Sequence, residues 1–156
     1  MKLAFTQPQF GAFERLAMRV FFAIVVLWHI PQALPPSALN VPNGLAHFLD
    51  LRFLFNPQTF AFCRYGMEAA LALYVLRFGL VLVLPCLTLL SIATGSIYNS
   101  QGAISHHLQI VSLVLLAQTA AYFYGLVRRK TNPASETNAA RESRLVFWSQ
   151  QAIVAT

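Results

Sequence analysis

The sequence predicts an all-α integral membrane protein: about four transmembrane helices in a bundle, with a partial fifth apolar segment at the C-terminus. Three observations carry that prediction. Apolar residues fill 57% of the 156 positions and charged residues only 10%, against about 25% charged in an average soluble domain. A soluble domain of this size buries only about 70% of its surface and cannot hide so many apolar side chains. The charges themselves cluster at the ends of apolar stretches, where a membrane protein places them. The net charge of +6 is therefore no sign of nucleic-acid binding, which needs a basic face spread along a folded surface.

The first apolar stretch runs from Leu16 to Leu34, with no Asp, Glu, Lys or Arg between Val20 and Leu49. It supplies the roughly 20 helical residues that a ~30 Å hydrocarbon core requires. Lys2 and Arg15 precede it and Arg19 lies at its start, as basic residues would in a cleavable signal peptide. No clean small-x-small cleavage site follows, and further apolar segments come later, so the stretch is read as a retained helix over 16–34. Residues 1–15 form a cytoplasmic or interfacial lead.

The stretch from Phe60 to Tyr98 is too long for one crossing, since about 39 helical residues reach ~58 Å. It reads as a helical hairpin. Asn56-Pro57 is a start signal, with Asn as N-cap and Pro at the first helical position. Arg77-Phe78-Gly79 interrupts the apolar run with a charge and a glycine. Helices are expected over 58–77 and 80–97. A fourth, over 105–127, closes in Tyr122, Phe123 and Tyr124 as an interfacial aromatic belt, and Arg128, Arg129 and Lys130 follow at once.

Charge placement tests the hairpin independently. With four helices and a cytoplasmic N-terminus, the inside carries Lys2, Arg15, Arg19, Arg77, Arg128, Arg129, Lys130, Arg141 and Arg144. Only Arg52 and Arg64 fall outside. The expectation is a multi-pass protein of a bacterial inner membrane, with the N-terminus and a basic, polar loop over 128–144 in the cytoplasm. Leu145 to Thr156 then begins another apolar segment of ~18 Å, too short to span. It has no Lys or Arg after Arg144 for the polar face of an interfacial helix. The expected reading is a further membrane helix cut off partway, so that the chain is the front part of a longer protein.

The chemistry-bearing residues are few. Cys63 and Cys86 lack the C-x-x-C spacing of a redox centre. In the hairpin they differ in depth by ~10 Å, beyond the ~7 Å Cα limit for a disulfide, so they read as small packing residues. No phosphate-binding loop, nucleophile elbow or H-E-x-x-H motif is present, and no metal site is assigned. His29, His47, His106 and His107 all fall on the outer side in the four-helix arrangement. Histidines suit helix ends at an interface, yet imidazoles facing one compartment also handle protons. His106 and His107 point about 100° apart on a helix, so at most one faces the bundle interior. A helix N-terminus keeps such a ring neutral and able to accept a proton, whereas Glu68 within reach would hold it charged. Arg64 and Glu68, spaced i,i+4, form a candidate ion pair inside the membrane. Gln109 and Gln118 lie nine residues apart on the fourth helix and so face opposite sides.

The run from Asn99 through His106-His107 to Gln118 resembles the Asn/His-started helix of the horizontally transferred transmembrane (HTTM) domain, shared with vitamin K-dependent gamma-carboxylase. The order of segments over most of residues 13–156 is similar too, and Phe147 to Thr156 looks like the approach to that domain's next helix. The resemblance implies a membrane domain in which His106 or His107 matches a histidine implicated in catalysis. The partner lysine would lie beyond Thr156, so the likeness brings at most half a site, and fold alone does not imply carboxylation. A DoxX-like four-helix subunit of a quinone-linked redox complex is the second resemblance. A structural or transport membrane protein without catalysis is the third reading. The implied partners are the lipid bilayer, a lipid-soluble quinone-type molecule and other membrane subunits, with no nucleic acid; no cofactor is assigned.

Overall fold

The computed structural model of the chain describes residues 11–34, 45–100 and 106–131. Among these, every regular element is a helix: α1 (Ala12–His29), the single-turn α2 (Leu45–Phe48), a 3-10 turn (Leu51–Phe55), α3 (Pro57–Val75), α4 (Leu80–Ser100) and α5 (His106–Thr131). The expected C-terminal apolar segment, 145–156, and most of the 128–144 loop lie outside the described residues.

Local chemistry accounts for each boundary. Glu14 reaches back to the Gly11 backbone N–H at 2.7 Å, one half of a capping box; glycine has no side chain to supply the other. Helix α1 stops at His29, five residues before the expected end, because Pro31 holds Ile30 in extended backbone (φ −64°, ψ 122°). It also starts four residues early, so part of the expected lead is helical. At the start of α3, Asn56 Oδ1 accepts from the Gln58 N–H at 2.9 Å, and Pro57 takes the first helical position. The helix ends in a Schellman motif: Phe78 N–H donates to Leu73 C=O and Arg77 N–H to Tyr74 C=O. Arg77 supplies the left-handed residue (φ 59°), and Gly79 (φ 60°) turns the chain into α4. At its other end α5 continues through Arg128, Arg129 and Lys130, where a loop was expected from 128.

The helices pack in the order α1, α3, α4, α5, and α5 returns to touch α1. Phe22, Val26, Met67, Leu71, Tyr74, Leu84, Leu87, Val111 and Leu115 fill the centre. Helices α4 and α5 run antiparallel, since Thr88 meets Thr119 and Ser91 meets Ser112, both at 2.8 Å. Closer to the end with α5's N-terminus, Gly95 lies against Leu108. Small and hydroxylated residues let the two backbones approach and bond across. Leu51 and Leu54 of the 3-10 turn cover that end of the bundle, packing on Ile97. The turn is placed by Asp50, a residue type that tolerates its left-handed φ of 46°.

By length and composition, α4 and the His106–Val127 part of α5 are fit to cross a membrane. Helices α1 and α3 are less apolar: the first carries Glu14, Arg15 and Arg19, the second Arg64 and Glu68. All the same, each of the four long helices turns large apolar side chains outward. Phe13, Phe21 and Trp28 do so on α1, Phe62 and Leu73 on α3, Leu82 and Leu89 on α4, and Leu113 and Val127 on α5. Cys86 shares that outward face of α4, away from Val83, Leu84 and Leu87, so it is not the packing residue expected. Cys63 does pack, against the cluster of Leu51, Leu54 and Ile97.

Candidate functional site

The two ends of the bundle differ in chemistry. At one end gather the N-terminus of α1, the α3–α4 turn and the C-terminus of α5. Arg19 joins two of these: its Nε donates to Arg15 C=O and its Nη1 to Val75 C=O, the last carbonyl of α3. A guanidinium on a free helix-terminal carbonyl satisfies an orphan acceptor and meets the negative end of the helix dipole. Arg77 stands beside it in the turn, and Arg128, Arg129 and Lys130 end α5 at the same side.

The opposite end holds the histidines. His29 closes α1 and His107 opens α5, and their rings lie 5.0 Å apart, tilted by 52°. Both His106 and His107 are exposed, and of the two it is His107 whose ring meets that of His29. The His29 ring is oriented by its own helix. Its Nδ1 lies 2.7 Å from Val25 C=O, and a carbonyl only accepts, so Nδ1 carries the hydrogen. In the neutral ring Nε2 is then the basic nitrogen. His47 lies apart, edge-on to Phe48 in α2.

Arg64 fixes the chain just after α1. Its Nη1 donates to Gln32 C=O at 3.1 Å and to Gln32 Oε1 at 3.3 Å. The same side chain lies over the Tyr65 ring and pairs with Glu68 at 3.4 Å along α3. That is the i,i+4 pair the sequence spacing implies. It engages Glu68 within its own helix, and the arginine acts at the same end of the bundle as the two histidines. Among the described residues no three His, Cys, Asp or Glu side chains converge as metal ligands would.

Gln118 is buried at 0% exposure in the bundle centre, while Gln109 faces outward. The opposed faces implied by their spacing are thus realised. Gln118 sits against the Tyr74 hydroxyl across the bundle, yet neither its Nε2 nor its Oε1 completes a hydrogen bond. Sequence reasoning missed two members of these sites, Tyr74 and Gln32. Tyr74 reads as one more apolar residue near a helix end, and Gln32 as part of a loop; neither carries a motif.

Comparison with protein-family models, with curated proteins and with solved structures finds no match. What the fold itself defines is an all-helical bundle with two helices fit to cross a membrane.

Proposed function

We propose that the chain is a polytopic membrane domain that crosses the bilayer four times, and that the His29–His107 pair at its outer mouth is the functional site. The N-terminus and residues 128–144 lie in the cytoplasm, against the inner membrane of a bacterium. At the outer mouth, His29 Nε2 and the His107 ring take up and return a proton for a lipid-soluble partner of the quinone type. The observation that carries the membrane half is the outward display of large apolar side chains by all four long helices. In water such a surface would be an aggregation liability, and in lipid it is the solvated one. Helix lengths agree, since 18, 19, 21 and 26 residues rise about 27, 28, 31 and 39 Å. The observation that supports the site is the tautomer set by Val25, which leaves a basic nitrogen beside a second imidazole.

The resemblance to the HTTM and gamma-carboxylase-like group favours this reading, because the histidine of its Asn/His-started helix then corresponds to His107. The DoxX-like alternative, a subunit of a quinone-linked complex, shares the bundle and the lipid-soluble partner. It is favoured by the apolar face of α1 from Phe13 to Trp28, which a second subunit would cover. A co-purifying membrane subunit would separate the two.

Trp28, next to His29 in the chain, offers a readout. In vesicles containing the protein with Trp148→Phe as background, a short-chain quinone should quench the Trp28 fluorescence saturably, above the linear quenching by quinone dissolved in lipid. His29→Gln with His107→Gln should abolish the saturable part, and His106→Gln should leave it. Purely linear quenching in the unaltered protein would contradict a quinone-type partner at this mouth.

A further inference from the structure

We propose that the bundle centre holds a buried water-binding site built on Gln118, at the inner end of a file of polar groups that reaches the level of His107. The starting point is an unmet demand. A primary amide offers two N–H donors and an acceptor oxygen, and Gln118, fully enclosed, leaves both its nitrogen and its oxygen without a partner. Buried polar groups are almost always paired, and more strictly so in a molecule whose surroundings include no water. A ligand that only accepts, or a cation that only attracts oxygen, would serve one of the two atoms. Water donates and accepts, and it is the smallest molecule that serves both.

A buried water needs about two to four polar partners. Gln118 supplies two, and the Tyr74 hydroxyl, lying against the amide, supplies the third. These residues come from α3 and α5, which are not neighbours in the packing order, so they meet across the bundle centre. The positive charge of Arg19, at the basic end, is near enough to act electrostatically on the same hydroxyl.

Outward from Gln118 the polar groups continue. Thr119 meets Thr88, then Ser112 meets Ser91, and Thr94 follows one step further. Thr88, Ser91 and Thr94 are buried and three residues apart on α4, ~4.5 Å of rise per step. In the Thr88–Thr119 pair each Oγ1 lies within reach of its own i−4 carbonyl and of the other hydroxyl. Each has one proton, so one hydroxyl bonds the carbonyl while the other bonds its neighbour, and the roles exchange by rotation. Ser91 and Ser112 also meet hydroxyl to hydroxyl, with Ser112 in reach of its own i−4 carbonyl at Leu108. Gly95 then meets Leu108, one residue from His107. Helix–helix adhesion accounts for the hydroxyl pairs. It does not account for Gln118, whose amide nitrogen and oxygen both fall short of a well-formed hydrogen bond. The water site rests on Gln118 and Tyr74 alone and does not depend on the histidine pair having a function.

The test is nuclear magnetic resonance of the full chain in lipid nanodiscs with 15N-labelled glutamine. The Gln118 side-chain amide is identified by its loss in Gln118→Leu, or by through-bond assignment if that variant does not fold. It should show cross-relaxation with a long-lived water. Tyr74→Phe, which removes one oxygen and keeps the shape, should weaken that signal at least threefold while the Gln118 resonances remain. No water contact in the unaltered protein, or a contact unchanged in Tyr74→Phe, would overturn the assignment.

Discussion

Arg77 holds the left-handed conformation that ends α3, a conformation that costs a residue with a Cβ about 1–2 kcal/mol. Its N–H completes the Schellman motif whatever the side chain, so the turn itself does not require an arginine. Arg77→Gly should therefore raise stability in detergent by about 1 kcal/mol, and Arg77→Asn by less. A loss on Arg77→Gly would mean that the guanidinium itself holds the turn. Asn56 works in the opposite sense: Asn56→Ala removes the cap on Gln58 and should lower the unfolding free energy by about 1 kcal/mol. Both features were legible in the sequence, because a cap and a glycine-flanked break are decided by a few adjacent residues. The selection of His107 over His106 was not. It depends on the rotation of α5 relative to α1, which no local pattern encodes.

Pairs of elements depend on contacts distant in sequence. The α4–α5 seam relies on close approach at Gly95, where an added Cβ would meet Leu108 Cβ at an ordinary 3.7 Å. Gly95→Ala should thus be tolerated, whereas Gly95→Leu should push the helices apart and lower thermal stability in detergent sharply. Thr88→Val and Thr119→Val should show a coupling of about 0.6 kcal/mol in a double-mutant cycle, typical of an interhelical bond in a membrane protein. The same experiment applied to His29 and His107 should return about 0.5–1.5 kcal/mol for the ring contact. His29 with His106 should return none. At this scale the long helices were readable from apolar length, and the hairpin from the excess length of Phe60 to Tyr98. The 3-10 turn at Leu51–Phe55 was not. Its residues bury against Ile97, more than forty positions away in the chain. The early stop of α1 comes from Pro31, which the expected helix over 16–34 ran through.

For the whole molecule, the proposed topology has the basic end inside and the histidine end outside, with a bilayer around all four long helices. The outward apolar side chains and the separation of charges by end are properties of the assembled bundle. The sequence implied the charge bias as a count along the chain, and among the described residues the fold gathers Arg15, Arg19 and Arg77 at one end, with Arg19 bonded to the end of α3. The segment between α1 and α3 decides the matter, because four crossings put it on the opposite side from the α3–α4 turn, whereas a protein crossing only through α4 and α5 leaves both on one side. The direct measurement starts from a chain with Cys63→Ala and Cys86→Ala, in intact cells and in inverted vesicles. Single cysteines at Phe78, in the α3–α4 turn, and at Phe53, exposed in the 3-10 turn, are probed with a membrane-impermeant thiol reagent. Four crossings with the basic end inside predict that Phe78→Cys reacts only in inverted vesicles and Phe53→Cys only in intact cells. Labelling of both from the same side, or in the reverse pattern, would contradict it.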